Sequence, residues 1–506
     1  TKTVEIVVGF VERDKFGPLI KELNATLQNR VAYVSKDLKG KYLVVFVFLK
    51  KDYDRANPLL AKYSLERLEI PEVKGKPREA IETLWKHIEV KKRELESAEA
   101  EARNLAKQYH DELVFYQELM ENEREKANML SNLVRTNMTF ALVGWLPKKD
   151  VARITEGLKK ITWGKVYVNT KTPTKEELDE IPIKLKNPKF IESFEMLTEM
   201  FGVPKYNELD PTPLLAFTYS FFFGFMLTDF VYGLIIAVIA SLLIKGHKKL
   251  NDGTYKFSNI LVWSAFFTTV MGVLFGSYLG DALQRAGLNV PALLDPMRGA
   301  LMVLGLALAI GLIHLFIGYT LGFIVKFRNG EVKDAVFDQL SWMLIILGVL
   351  FIVLAMADFI SMSLGEVIFG AGFVLFAISQ FRSDLPLPMR FLMTISNFFG
   401  FIGNWLSYAR LMALALATAG IAMVINIIVQ LIWGIKIGPI PLGMVVGLVV
   451  FVGGHIFSTA INALGAFVHA LRLHYVEFFG TFYSGEGKKF EPFKAKREVS
   501  KLELEI

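Results

Sequence analysis

The sequence of 506 residues contains no cysteine. That excludes a disulfide scaffold and any thiolate metal centre. Its seven histidines show no ligand spacing, so no metal site is read here. No Gly-x4-Gly-Lys-Ser/Thr loop is present to cradle a phosphate. The chain is therefore not expected to hydrolyse nucleotide itself, and no cofactor is indicated. Charge is scarce in one region: residues 206–506 hold 20 Lys/Arg and 18 Asp/Glu, or 38 charges in 301 positions. A water-soluble domain would carry about a quarter. Disorder and collagen-like repeats are excluded by the 53% hydrophobic content.

Residues 1–205, by contrast, hold 37 Lys/Arg and 32 Asp/Glu. The composition thus predicts a cytoplasmic domain over 1–205 joined to a transmembrane domain over 206–506. Eight apolar runs recur in the second part: 211–226, 230–245, 260–278, 299–325, 339–359, 364–381, 391–433 and 440–483. A span needs about 20 residues to cross roughly 30 Å of hydrocarbon. The first two are short and read as a hairpin turning at Thr228-Asp229. Connections 2–3, 4–5 and 6–7 carry nine Lys/Arg, namely Lys245, Lys248, Lys249, Lys256, Lys326, Arg328, Lys333, Arg382 and Arg390. The opposite connections carry three, Arg285, Arg298 and Lys436. The positive-inside rule then places the soluble part and the basic tail (Lys488, Lys489, Lys494, Lys496, Arg497, Lys501) in the cytoplasm.

Runs seven and eight each keep an apolar, helix-compatible pattern for more than 40 residues, about 60 Å of helix. Two steeply inclined helices are expected, or a normal span followed by an interfacial helix. They also contain Arg410 and Arg472, the arginines set well inside a span. Arginine cannot shed its proton to escape the hydrocarbon, so such residues are functional by default. Gly403, Ser407, Ala413 and Ala417 lie within about 60° of Arg410 on a helical projection and would let another helix approach closely. Leu406 and Leu414 share that face. Asn462, His469 and Arg472 follow at spacings of seven and three, which puts a polar stripe on one face. His474 and Glu477 form a second pair turned away from it. His469 is either a proton relay or a hydrogen-bonded packing residue. Asp338 and Asp358 read as solvated span ends. Asp229 is the better candidate for lining an aqueous access on the outer side. His314 and His455 are the remaining ionisable residues in spans.

In the first part, strands are expected over 3–10, 30–35 and 41–48, with a helix over 15–28, giving a distal α/β lobe over 1–72. Residues 76–136 lack glycine and carry apolar residues at 3/4 spacing, among them Ile81, Leu84, Ile88, Leu95, Leu105, Tyr109 and Leu119. This predicts a coiled-coil helix of about 60 residues that needs an antiparallel partner. A membrane-proximal α/β lobe follows over 137–205, with strands over 139–145 and 165–169 around a helix over 148–161. Basic residues on the rod are balanced by glutamates, so no nucleic-acid surface is expected.

Several motifs are familiar. Asp210-Pro211-Thr212-Pro213 with Phe223-Gly224-Phe225-Met226-Leu227-Thr228-Asp229 resembles the first hairpin of the a (or I) subunit of archaeal and vacuolar-type (A-type/V-type) rotary ATPases. Ser407-Tyr408-Ala409-Arg410-Leu411 is similar to that family's essential-arginine helix. His469-Ala470-Leu471-Arg472-Leu473-His474-Tyr475-Val476-Glu477-Phe478-Phe479 is similar to its last helix, and the segments 485–487 and 491–493 to its tail. Val143-Gly144-Trp145-Leu146-Pro147 fits its membrane-proximal lobe. The resemblance implies a stator subunit that forms two proton half-channels against a rotating proteolipid (c) ring. Arg410 and Arg472 would face the ring carboxylate. Asn462, His469 and Asp229 are candidates for the outer half-channel. His474, Glu477, Ser396 and Ser407 are further path candidates, with Asn397 and Asn404 also polar on the inner stretch. The implied partners are the ring, peripheral-stalk subunits on the cytoplasmic lobes, the ATP-hydrolysing or ATP-synthesising soluble sector, the adaptor between central stalk and ring, and the lipid bilayer.

Two departures stand out, because Asn462 and Ser396 occupy positions where vacuolar members place glutamates. The family's soluble half also begins with an earlier strand and an outgoing helix that pairs with the rod, so residues ahead of Thr1 are expected to be missing. The location implied is a prokaryotic plasma membrane rather than a eukaryotic vacuolar one. The competing reading is a secondary transporter with a cytoplasmic regulatory domain, but no repeat relates spans 1–4 to 5–8. A plain membrane anchor would leave both arginines unexplained.

Overall fold

The computed structural model describes residues 3–38, 40–68, 77–131, 133–247, 253–288, 290–356, 358–382, 386–435 and 442–495. Lys248, Lys249, Lys436, Lys496, Arg497, Lys501 and the boundary at residue 72 lie outside the described residues. The chain divides into two compact units, one running to Leu133 and one covering Val134–Lys494.

In the first unit, β1 (Val4–Glu12) leads into α1 (Arg13–Thr26), then β2 (Ala32–Leu38), β3 (Lys41–Leu49), α2 (Lys50–Lys62) and β4 (Glu66–Arg67). The strands form an antiparallel sheet in the order β2-β3-β1-β4, with Val8 opposite Val45. The two-residue period of β3 sends Val44, Phe46 and Phe48 inward, where they meet Leu19 and Leu23 of α1 and Ala56 and Leu60 of α2. Helix α2 was not expected from the sequence. Beside that apolar packing on α1, Glu22 accepts from Lys62 Nζ at 2.7 Å and from Tyr63 Oη. The rod is α3 (Pro77–Ser131), 55 residues long. Pairs such as Arg93–Glu89, Arg103–Glu99 and Lys126–Glu123 stabilise it locally by a few tenths of a kcal/mol each, about 0.2–0.5. Its heptad residues Ile81, Leu84, Ile88, Leu95, Leu105 and Tyr109 are all exposed.

The second unit opens with a minimal hairpin, β5 (Val134–Arg135) and β6 (Phe140–Ala141), followed by α4 (Val151–Ile161). The strand expected over 139–145 thus shrinks to two residues, and 165–169 forms none. A strand exists only where a neighbour supplies ladder bonds, and Tyr167 here is 90% exposed. Next come β7 (Pro182–Ile183) and α5 (Glu195–Phe201).

Apolar helices then dominate: α6 (Thr212–Leu227), α7 (Phe230–His247), α8 (Gly253–Phe275), the short α9 (Ala282–Arg285) and α10 (Ala300–Arg328). A short α11 (Val332–Asp334) passes through a π turn into α12 (Ser341–Met356). They are followed by α13 (Met362–Phe381), α14 (Leu387–Leu406), α15 (Ala409–Trp433) and α16 (Leu442–Arg472). Among the described residues six apolar stretches are long enough to cross a membrane, the last two being Leu387–Trp433 and Gly443–Thr481. Thr212–Leu227 and Phe230–Gly246 are apolar but shorter. The chain is mostly helical and reads as a multi-pass membrane protein. Close helix contacts sit at glycines: a methyl at Gly224 would meet the backbone of Phe267 at 2.5 Å, and one at Gly348 that of Phe369 at 2.6 Å.

Packing and composition divide the chain at different places. Charge changes near 205, yet Phe194 and Leu197 are buried in the same core as Tyr219, Phe222 and Phe223 of α6. Thr198 shares a hydroxyl hydrogen bond with Thr212 at 2.8 Å, and Tyr475 Oη donates to the Leu197 carbonyl. The tail returns to the same segment. Its strand β8 (Lys488–Lys489) pairs in parallel with β7, and Lys489 meets Glu199 at 2.6 Å. Lys205 meets Glu486 at 2.9 Å, and the Ser484 N–H donates to Glu208.

The Lys205 ammonium, bonded to Glu486, holds that carboxyl below the usual range, while Glu486 raises the lysine. The carboxylate's contribution is therefore present above the ordinary carboxylate range and lost as pH falls through its lowered value. Limited proteolysis of the tail in detergent should speed up on acidification through that window. In Glu486→Gln the tail should be cut faster at neutral pH, with much of the acid dependence gone. An unchanged profile would show that the clasp does not hold the tail.

Candidate functional site

The run over 391–433 is not one helix. It breaks at Ser407-Tyr408, between α14 and α15. The local cause lies in the sequence, because the Ser407 hydroxyl bonds back to the Gly403 carbonyl at 3.0 Å, a contact that bends helices. Tyr408, Arg410 and Leu411 donate to the carbonyls three residues earlier, so the turn is tightened. Tyr408 points inward and is fully buried. Its ring lies against Gly311 of α10, where a Cβ would meet Tyr408 Cγ at 2.5 Å. Its hydroxyl shares a 2.8 Å hydrogen bond with Nδ1 of His314. Trp405 Nε1 donates to the Leu308 carbonyl of the same helix at 3.0 Å. The break is thus seated on one face of α10, and Arg410 follows it by two residues.

The other arginine also adjoins an irregularity. Arg472 ends α16, and Leu473–Phe478 forms a π turn. One extra residue per turn shifts the helical phase beyond Arg472. His474 becomes fully buried, with Nδ1 facing the Ala470 carbonyl at 2.7 Å and Nε2 facing Thr218 Oγ1 of α6 at 2.7 Å. Glu477 is brought toward Arg410, Oε1 to Nη2 being 3.8 Å, and its carboxylate also meets the Ser407 hydroxyl. Glu477 is 2% exposed and Arg410 18% by side chain. Arg472 is exposed.

The expected polar stripe runs from the interior outward, with Asn462 buried, His469 half-buried and Arg472 exposed. On the face around Arg410, Gly403, Leu406, Ala413 and Ala417 are exposed and Leu414 half-buried. Helices α15 and α16 pack on each other closely near Gly454, where a Cβ would lie 3.0 Å from Ile425, and more loosely at Gly465, 4.0 Å from Leu414. Ser396 is exposed on α14, and Asn404 is half-buried. Asn397 donates to Gln380 at 2.9 Å.

Asp229 has every oxygen engaged. Oδ1 accepts from the backbone N–H groups of Val231 and Tyr232, which makes it the N-cap of α7. Oδ2 accepts from the Ser277 hydroxyl and the Gly280 N–H. This carboxylate fastens α7 to the turn after α8.

A second polar system escaped sequence reading because its members are far apart in the chain. Asn462 Nδ2 donates to Ser458 Oγ at 3.0 Å, and Ser458 meets the Tyr232 hydroxyl. Tyr232 Oη lies 2.8 Å from His455 Nδ1, and His455 Nε2 lies 3.1 Å from Asn426 Oδ1. Asn426 Nδ2 donates to the Leu279 carbonyl and to Asp281, which in turn accepts from Arg285 Nε at 2.7 Å. Those two acceptors fix the amide's orientation, so His455 must carry its proton on Nε2 and accept from Tyr232 at Nδ1. The usable signal was the density of Asn, His, Ser and Thr inside two apolar runs.

Compared with known proteins, residues 7–282 and 389–495 match the V-type ATPase 116kDa subunit family. The chain belongs to this family. It is 59% identical over 502 residues to the A-type ATP synthase subunit I of Pyrococcus horikoshii, covering 99% of this chain and 76% of that protein. The Thermococcus kodakarensis protein of the same name is 57% identical over 511 residues, with 99% and 76% covered. That of Methanocaldococcus jannaschii is 35% identical over 531, with 98% and 76% covered. The family match includes both arginine segments and leaves out all of α10, against which this member seats Tyr408.

Two substitutions probe the frame. Gly311→Ala should overpack the Tyr408 seat and lower stability in detergent by about 1–3 kcal/mol, read as a lower melting temperature. Asp229→Ala leaves four donors without their acceptor, at about 1–3 kcal/mol for each that stays dry. It should therefore destabilise more than Ser277→Ala, and equal losses would contradict the clamp.

Proposed function

We propose that this chain is the stationary a/I subunit in the membrane sector of a rotary A-type/V-type ATPase. It carries the coupling ion, H⁺ or Na⁺, through two offset half-channels as a proteolipid ring turns past it. In this reading the two short apolar helices complete a set of eight spans, with both termini on the cytoplasmic side of a prokaryotic plasma membrane. The observation that carries the proposal is Arg410. It is a permanent cation seated by a helix break and partly open on a face with Gly403, Ala413 and Ala417, small enough for a passing helix. A rotor carboxylate arriving there is held ionised, and a neutral one does not pass, which prevents a short circuit. Arg472, exposed one helix away, broadens the same positive region.

Asn462 and His469 lie on the outer path, and the chain of bonds from Asn462 to Asp281 supplies its polar lining. Asp229 supports that side as a fixed cap. Ser396, Ser407, Asn404 and Glu477 border the inner path, with His474 as a buried hydrogen-bond hub behind it. The soluble segments offer surfaces for peripheral-stalk subunits, and the complex includes the ATP-converting soluble sector and the adaptor joining central stalk to ring. The names of the relatives support this assembly.

The test is Arg410→Ala in the whole complex reconstituted into vesicles. ATP-driven ion uptake should fall to background while the ring and soluble sector still copurify. Normal pumping by that variant would refute the proposal.

A further inference from the structure

Glu477 sits 98% buried, yet its carboxylate is only half engaged. Oε1 stands 3.8 Å from Arg410 Nη2, while Oε2 is buried with no hydrogen-bond partner among the described residues. Arg410 Nη1 is in the same condition, and so is Nδ1 of the neighbouring His469. A guanidinium matched to a carboxylate normally forms two short parallel bonds. Here the pair is long, and each group keeps an unused buried atom. Such a contact restrains the guanidinium without consuming it. The charge count supports the same view. Arg410 and Arg472 are two fixed cations, and Glu477 supplies one anion, leaving room for a single further negative charge.

Resting on the reading of Arg410 as the group that meets the rotor carboxylate, we infer that Glu477 is the internal counter-ion of Arg410. It is a positioning residue that holds the guanidinium between encounters and competes with the rotor carboxylate for it. With Glu477 in place, an arriving carboxylate balances the site and can leave when the coupling ion claims it. Without that charge the site keeps an excess positive charge, and the rotor carboxylate is released less readily. Arg410 and the coupling ion compete for one carboxylate, so stronger holding by Arg410 appears as weaker apparent ion binding. The π turn is what makes this possible, because it rotates Glu477 toward α15.

The experiment uses the complete ATPase complex in vesicles, with ATP-driven uptake measured over a range of pH and of Na⁺ concentration. Glu477→Gln should raise the KM for the coupling ion about tenfold, within the range typical of coupled sites, with kcat little changed. Glu477→Asp should bring KM most of the way back. Unchanged KM and kcat in Glu477→Gln would mean that the residue only fills space. A loss of kcat at unchanged KM would make it an ion carrier instead. Either result overturns the inference. If Glu477→Gln fails to assemble, Arg410→Gln combined with Glu477→Gln decides: recovery of assembly supports the ion pair, and continued failure overturns it. Arg410→Ala separates the two levels. Normal pumping there refutes the proposed function itself, whereas a dead Arg410→Ala with a normal Glu477→Gln removes only the counter-ion.

Discussion

A guanidinium that cannot lose its charge sits within an apolar helix run, and the last third of the chain is organised around that constraint. A buried cation needs either water or a countercharge, and a regular helix offers it neither. The structure answers with two interruptions of helical geometry. The tightened turn at Ser407-Tyr408 fixes where Arg410 leaves the backbone, and the π turn after Arg472 moves Glu477 inward to face it. Neither interruption is a loose end. Tyr408 is wedged against Gly311 and bonded to His314, and His474 is held by Ala470 and Thr218. The rigid side of the site is thus an aromatic and imidazole core, while its open side carries Gly403, Ala413 and Ala417 beside the exposed Leu406.

The sequence displayed the parts whose signal is local. Apolar runs, the glycine-free rod and the Val/Phe/Tyr-rich segment over 41–48 are patterns within one stretch of chain, and each corresponds to helix or strand in the structure, with the run over 391–433 divided into two helices. Arg410 and Arg472 were legible for a similar reason, as charges where charge is scarce. What stayed hidden depends on phase or on distant neighbours. A helical projection assumes 100° per residue, so it set Glu477 apart from the Asn462–His469–Arg472 stripe and gave no sign that it faces Arg410, which lies on another helix. The strand over 165–169 had the right residues but no partner to pair with. The Asn426–His455–Tyr232 connection joins three helices, and no spacing rule along one chain segment reveals it.

Asp229 illustrates how geometry reassigns a residue type. An acid beside an apolar hairpin invites a role in ion access, but four donors converge on its two oxygens. A carboxylate so completely bonded is a joint rather than a carrier, since accepting an ion at any oxygen displaces an existing donor. Glu477 is the opposite case. It is as deeply buried, yet one oxygen is idle, and idle capacity beside a cation is what a switchable contact requires. The contrast between a saturated and an unsaturated acid separates support from function more sharply than burial does.

Composition divides the chain near residue 205, but the segment holding Phe194 and Leu197 is packed into the core of the apolar helices, and the tail is stitched to it by β7–β8, Lys489–Glu199 and Lys205–Glu486. Exposed ion pairs alone would hold that junction weakly, because each contributes little and water screens it. Here they surround buried aromatic contacts, with Phe201 packed on Tyr475, Phe479 and Tyr483 at centroid distances of 5.2, 5.2 and 5.7 Å. Those rings belong to the segment that begins with Arg472. The same stretch holds the π turn and Glu477, so the packing that anchors residues 194–201 adjoins the residue that faces Arg410.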